Sequence, residues 1–283
     1  MRIWHHLLLA DQSLNLARHA ADSFHLAICK GSGTRVRIPS AWHSAILTLS
    51  GRLSLDAGLT AWTLSGRQCQ VWTDGVLQLS AKGKAGWLCV SAPGALWQSL
   101  PGGAIAHVQG LLPRHFHADA GLVRKLIQAV RPPRQGDGPA RREKLAQLRA
   151  ALHARQVVLQ EYMLRCSGRT ALRRHQTLLR LLRVQHLIRH SIEDRLDLQR
   201  LAASASYSPT HLIRVYRNVF GETPSEYASR LRQLRAWELV RNTQLPVSEI
   251  ALSLGFESES TFCRAFKQAF GLSATKVRKL DPV

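Results

Sequence analysis

Two stretches near the carboxy terminus hold the side chains best placed for chemistry, and they hold them at matched positions. When 201–221 is laid on 250–271, with one extra residue in the second copy, Arg214 matches Arg264, Arg217 matches Lys267 and Ser208 matches Ser258. Guanidinium and ammonium groups at a repeated spacing donate to anionic or carbonyl oxygens, so the chemistry offered is binding, with a polyanion as the natural partner. Other chemistry has few footholds. The five cysteines (Cys29, Cys69, Cys89, Cys166, Cys263) are scattered without a Cys-x-x-Cys pair, which fits a reducing compartment and argues against a disulfide scaffold or structural zinc. Residues 1–110 hold four acids, leaving few candidates for general acid–base work, and no Ser/His/Asp or paired-carboxylate arrangement stands out. Gly31-Ser-Gly33 lacks the Lys-Ser/Thr of a phosphate loop. We expect no catalytic residue, no metal and no cofactor.

The matched positions imply elements to carry them, and each copy reads as helix, turn, helix. In the first, 198–204 is a short helix whose Ala202 lets a second helix cross closely, and Ala205-Ser206-Tyr207 is the turn. Ser208 is an N-cap, Pro209 takes the first helical position, and Gly221 supplies the left-handed stop. Leu212, Val215, Tyr216 and Val219 then face inward, with Thr210, His211, Ile213, Arg214 and Arg217 outward. In the second, Ser248 caps 249–254, Gly255 turns, Phe256 plugs the core, and Ser258 caps a helix ending at Gly271. Phe262, Ala265, Phe266 and Ala269 are placed inward, and Glu259, Ser260, Cys263, Arg264 and Lys267 outward. Between the copies, 224–241 forms a helix carrying Arg230, Arg232, Arg235 and Arg241. Its length of about 27 Å compares with the ~34 Å recurrence of major grooves on one face of a duplex.

Residues 178–280 resemble the paired helix-turn-helix domain of the AraC/XylS family of transcription regulators. The match rests on Leu201-Ala202, Ser208, Leu212, Arg214, Gly221 and Tyr227 in the first copy, and on Ile250-Ala251, Gly255-Phe256, Phe262, Arg264, Phe266-Lys267 and Gly271 in the second. The resemblance implies a sequence-specific regulator that binds double-stranded promoter DNA, contacts RNA polymerase and forms a homodimer. It places DNA contacts at Ser208, Thr210, His211, Ile213, Arg214 and Arg217, and at Ser258, Glu259, Ser260, Cys263, Arg264 and Lys267. Arginine can pair bidentately with guanine, and Ile213 offers apolar contact to a thymine methyl. Ala274 and Val277 stand where the family has Pro and Tyr, which predicts a less firmly held closing helix. The resemblance also implies an amino-terminal sensing or dimerisation domain, often a cupin-like barrel, and with it a small-molecule effector. A metal-binding cupin would carry a strand-borne His-x-His with a Glu shortly after. His115-Phe-His117 lies outside the expected strands and is followed by Asp119.

The rest of the chain agrees with two domains of an α+β protein, 1–168 and 172–283. Residues 1–23 are helical at best by pattern. From 24 to 92, runs rich in Val, Ile, Leu, Trp and Thr (24–29, 35–38, 46–49, 53–55, 68–72, 87–90) alternate with Gly, Ser, Asp and Pro, as in a small antiparallel sandwich or barrel. Trp42, Trp62, Trp72 and Trp87 lie in this stretch and Trp97 just beyond it; the first four either line an effector pocket or fill a core. The texture turns helical from about residue 104, with helices expected over 121–130, 141–165 and 172–190, and a loop over 134–139. Leu145, Leu148, Leu152, Leu159 and Tyr162 recur at three- and four-residue steps, broken only at Arg155, a seam for self-association or for packing within its own domain. Formal net charge is +21, spread unevenly: residues 111–190 hold seventeen Lys/Arg against four Asp/Glu, and residues 191–283 hold thirteen against ten. That excess beside the repeat suits phosphate contacts. No apolar run is long enough for a signal core or membrane span, so we expect a cytoplasmic chain with no membrane partner. Two other classes stay open: an enzyme-linked DNA binder with a cysteine alkyl acceptor, and a ligand-independent architectural binder.

Overall fold

The computed structural model describes residues 2–101, 110–132, 138–190 and 197–280. The expected loop 134–139 falls mostly outside these residues, as do the start of the helical texture near 104 and the Glu193-Asp194 connection. The chain divides into two compact units, Met1–Leu179 and Arg180–Val283.

The first unit is built on nine strands: β1 (Arg2–Leu8), β2 (Ser13–Asn15), β3 (Ser23–Gly31), β4 (Arg35–Ile38), β5 (Trp42–Asp56), β6 (Ala61–Ser65), β7 (Gln68–Trp72), β8 (Leu77–Pro93) and β9 (Arg114–His117). They pair in the order β1-β3-β8-β5-β7-β9, with β4 also on β8, β2 on β4 and β6 on β5. The two long strands hold the unit together. The end of β8 pairs with β3 and the start of β5, while its start pairs with β4 and the end of β5. Register shifts between Thr48 and Arg52 divide the two halves of β5. Gly51 sits there at φ +73°, and a Cβ would lie 2.3 Å from the Lys84 carbonyl oxygen, so only glycine fits.

The uninterrupted apolar runs of β3, β5 and β8 follow from burial of both sheet faces. Phe24, Leu26, Ala45, Leu47, Leu88 and Val90 face one core, completed by Leu122 and Leu126 of α2 (Ala120–Val130) and by Leu145, Leu148 and Leu152 of α3 (Gly138–Ala154). The alternate residues Ala27, Cys29, Ile46, Trp87 and Cys89 join Leu53, Leu55, Leu77 and Leu79 in a second core. Trp97 on the short helix α1 (Gly94–Gln98) belongs to the first core and donates Nε1–H to the His43 carbonyl at 2.9 Å. Buried Arg149 of α3 donates to the carbonyls of Trp97, Gln98 and Pro101 at 2.8–3.2 Å, satisfying carbonyls where α1 ends.

Three expectations need correction. Residues 2–8 form β1, parallel to β3 from Arg2↔Ser23 to Leu8↔Cys29, where the pattern suggested helix. The decisive contact is a pairing partner about twenty residues away, which local periodicity does not register. His115 and His117 lie on strand β9, paired with β7, not outside the strands. No group of three or more metal-ligating side chains gathers among the described residues. Finally, the helix expected over 141–165 is two helices, α3 and α4 (Val157–Arg165), broken at Arg155-Gln156. Arg155 turns back to pair with Asp119, and the buried Gln156 amide bonds both backbone groups of Leu112 at 2.7 and 3.1 Å. The seam is therefore not continuous, and Leu145, Leu148 and Leu152 are fully enclosed in the unit's own core.

Helix α5 (Ala171–His190) spans the division between the units. The second unit continues through α6 (Leu198–Ser204), α7 (Pro209–Phe220), α8 (Pro224–Asn242), α9 (Val247–Ser253), α10 (Glu259–Phe270) and α11 (Ala274–Leu280). No helix among the described residues is long and apolar enough to cross a membrane.

Candidate nucleic-acid interface

Each repeat folds by the same local devices. Asp197 caps α6, accepting from the Arg200 N–H at 3.0 Å. Ala202 and Ala251 are buried at the helix crossings. Their carbonyls accept from the N–H of Tyr207 at 2.9 Å and of Phe256 at 3.0 Å, closing equivalent turns. The left-handed turn residue is Ser206 at φ +57° in the first copy and Gly255 at φ +73° in the second. Ser208 and Ser258 accept from the N–H groups of His211 and Thr261, and Gly221 and Gly271 end α7 and α10 in the left-handed region. Ser248 does not cap α9; Pro246 holds that position without a side-chain bond, leaving Ser248 inside the helix.

The inward faces are as expected at Leu212, Val215, Tyr216, Val219, Phe262 and Phe266, all buried. Ala269 is exposed instead, because the aromatic side chains of Phe266 and Phe270 stack against Trp237 and fill that flank. Ala274 and Val277 of α11 are each 3% exposed within the core formed by α8, α9 and α10.

The outward faces present the residues picked out from the sequence. On α7, Thr210, Arg214 and Arg217 are exposed, as is the cap Ser208, while His211 and Ile213 are half-buried. On α10, Glu259, Ser260, Cys263, Arg264 and Lys267 are exposed with the cap Ser258. Asn218 and Gln268 are exposed at equivalent places on the same helices, and matching the copies residue by residue would have found them.

The two faces differ in how their charges are held. Arg214 donates Nη2–H to His211 Nδ1 at 3.1 Å. Arg217 pairs with Glu226 at 2.7 Å. Glu226 also accepts from the Thr223 N–H while Thr223 caps α8, a reciprocal capping box. The Thr223 backbone bond first, and then Arg217, hold the Glu226 carboxyl down at about 2. The Thr-x-x-Glu spacing was visible in the sequence; the link to Arg217 across the helix junction was not. On α8, Arg230 pairs with Glu222 at 2.6 Å and Arg235 with Glu238 at 3.1 Å. On α10, burial and then the Glu259 carboxylate push the Cys263 thiol up.

Comparison with known proteins locates this unit. A family model described as a helix-turn-helix domain matches residues 201–280. Over 94 residues the chain is 34% identical to the HTH-type transcriptional activator AarP of Providencia stuartii, a match covering 33% of this chain and 70% of that one. The chain belongs to the AraC family of transcription regulators. Similarity to the HTH-type transcriptional regulator MtrA of Neisseria gonorrhoeae is 33% over 100 residues, covering 34% of this chain and only 33% of MtrA. Among solved structures, the C-terminal domain of AraT, a response regulator from Geobacillus stearothermophilus, is 28% identical and covers 37% of this chain and 87% of that one, with a TM-score of 0.35. The AraC-family match with AarP and MtrA is thus confined to about a third of the chain.

The four indoles Trp42, Trp62, Trp72 and Trp87 share the second core of the first unit, none more than 6% exposed. Trp62 and Trp72 lie 5.4 Å apart, and Trp87 Nε1–H donates to Thr34 Oγ1 at 3.0 Å. All five thiols are free. Burial pushes Cys29, Cys69 and Cys166 up to about 12 and raises Cys89 as well.

Proposed function

We propose that this AraC-family chain recognises a bipartite element in double-stranded DNA with the outward faces of α7 and α10, and that its β-rich unit senses a small molecule or a partner that tunes this binding. The observation that carries the reading is where the two modules agree and where they differ. Caps, crossing alanines, turn hydrogen bonds, buried cores and the exposed cations Arg214/Arg264 and Arg217/Lys267 match, whereas the other exposed residues of the two recognition helices differ. Modules that only gripped phosphate would need those shared cations and nothing specific beside them. Thr210, Ile213 and Arg214 against Glu259, Ser260, Cys263 and Arg264 are instead different sets of donors, acceptors and apolar contacts for base edges. In this reading Arg214 and Arg264 each donate to a guanine, worth about 1–3 kcal/mol of discrimination. Ile213 meets a thymine methyl, and Ser208, Ser258, His211, Arg217 and Lys267 add phosphate or base contacts. A 19-residue α8 gives a spacer of about 28 Å, suited to adjacent major grooves with some bending of the duplex.

The thiols, all protonated at neutral pH where burial raises them, support a non-enzymatic regulator over an alkyl-acceptor enzyme. Action on promoter DNA places the chain in the cytoplasm, and contact with RNA polymerase and a homodimer complete the proposal. The dimer does not use the α3 leucines, which the core consumes. The four indoles fill one core, so a ligand that altered that core would change their fluorescence, which gives the sensing role a direct test. The deciding experiment is selection of random duplexes by the full chain at physiological salt. The expected product is a motif of two unlike half-elements about one helical turn apart. Equal recovery of all duplexes would replace the regulator with an architectural binder.

A further inference from the structure

Arg214 and Arg264 occupy equivalent positions, but they are not equivalently held. An arginine has donors and no acceptor, so the 3.1 Å contact between Arg214 Nη2 and His211 Nδ1 has one polarity: the guanidinium donates and Nδ1 accepts. Nδ1 is therefore the acceptor in this contact, which uses the tautomer that carries its proton on Nε2. The ring is itself supported. Its centroid lies 4.8 Å from that of Tyr207, at 60° between planes, and the Arg180 guanidinium stands 5.5 Å over the Tyr207 ring. The His211 backbone N–H donates to the cap Ser208 at 3.3 Å. Arg180, Tyr207, His211 and Arg214 thus form a chain of contacts from α5, through the turn, to the exposed face of α7.

The second module lacks this arrangement at every matching place. Thr261 takes the position of His211, and its hydroxyl lies 2.9 Å from Ser258 Oγ. Phe256 takes the position of Tyr207 and packs edge-on to Phe262, 5.3 Å away, in the core. Arg264 carries no such buttress from its own helix. A long flexible side chain must be ordered before it can pair bidentately with a base, and ordering costs entropy unless the free protein has already done it.

We infer that His211 is a positioning residue that pre-orients Arg214 for base recognition, so that the first module discriminates more sharply at its arginine-read base pair than the second does at its own. The inference rests on the proposed base-reading role of Arg214, and the experiment separates the two. Duplexes carrying the selected motif, with each base pair replaced in turn, are titrated with the full-length wild type and with the Arg214→Ala, His211→Phe and His211→Gln variants. Arg214→Ala identifies the base pair it reads by abolishing preference there. His211→Phe keeps a ring against Tyr207 but removes the acceptor, and it should lower discrimination at that same base pair by about three- to tenfold, with smaller changes at other positions and in non-specific affinity. His211→Gln restores an acceptor and should recover most of the loss, a rescue that a purely structural role for the ring would not produce. Equal thermal melting of the variants checks that the half-buried position tolerates them. If Arg214→Ala flattens no base preference, the base-reading assignment itself fails. If Arg214→Ala flattens one and His211→Phe leaves it intact, or weakens all duplexes alike, the positioning role of His211 is overturned while base reading by Arg214 stands.

Discussion

At the scale of single residues, the molecule separates side chains that build the modules from those that face outward, and substitutions should separate in the same way. Ser208 is both exposed and a cap, accepting from the His211 N–H. Ser208→Ala should cost about 1 kcal/mol of stability through the lost cap, read from urea unfolding, and should weaken the first half-element more than the second. Arg264 is the contrasting case, since it caps nothing and packs on nothing in its core. Arg264→Ala should leave stability within about 0.5 kcal/mol of wild type and relax the base preference of one half-element, with non-specific affinity nearly unchanged. Uniform weakening across all duplexes in a competition titration would make Arg264 a phosphate contact.

At the scale of elements, what was legible was local. The caps Ser208 and Ser258, Pro209 at the first helical turn, and Gly221 and Gly271 at the helix ends each act within four residues, and they marked α7 and α10 at their observed positions. Long-range pairing was not legible in the same way. β1 is a strand only because β3 offers it an edge, and α3 stops at Ala154 because Arg155 finds Asp119 and Gln156 finds Leu112. The leucine seam shows the same limit: a three–four repeat reports that one face is buried, not what buries it. Here α2 does, together with the core that it shares with the sheet. Leu148→Ala should therefore act as a core truncation, costing about 2–5 kcal/mol in urea unfolding with no change of association state in sedimentation. A shift in the monomer–dimer balance at conditions where the variant remains folded would return the seam to an interface.

At the scale of the whole molecule, charge and titration carry the last argument. The basic excess in 111–190 is not all available to a polyanion, because Arg149 is buried on three carbonyls and Arg155 is spent on Asp119. Two histidines of the first unit, His25 and His43, are a second charge reservoir, and it is held empty. Burial, then the nearby His175 and His153, lower His43 to about 4. Burial, then His6 and His19, lower His25 to about 4 against an opposing pull from Asp22. His6 Nε2 and His25 Nδ1 lie 3.0 Å apart, so one must stay unprotonated to accept. Well above about pH 6.5 these groups are neutral in both the folded and unfolded chains, and they cost nothing. As pH falls from there towards 4, the unfolded chain takes up protons that the folded chain refuses, so folding stability declines across that window. For His25 and His43 together the loss should be on the order of 3 kcal/mol by pH 4, after discounting for solvent screening. Urea unfolding at pH 7.5, 5.5 and 4.5, chosen to span about that window, should show a midpoint that drops steadily, with His43→Leu flattening part of the slope. A midpoint that holds level or rises as the pH is lowered would mean that the folded chain takes up these protons at least as readily as the unfolded one.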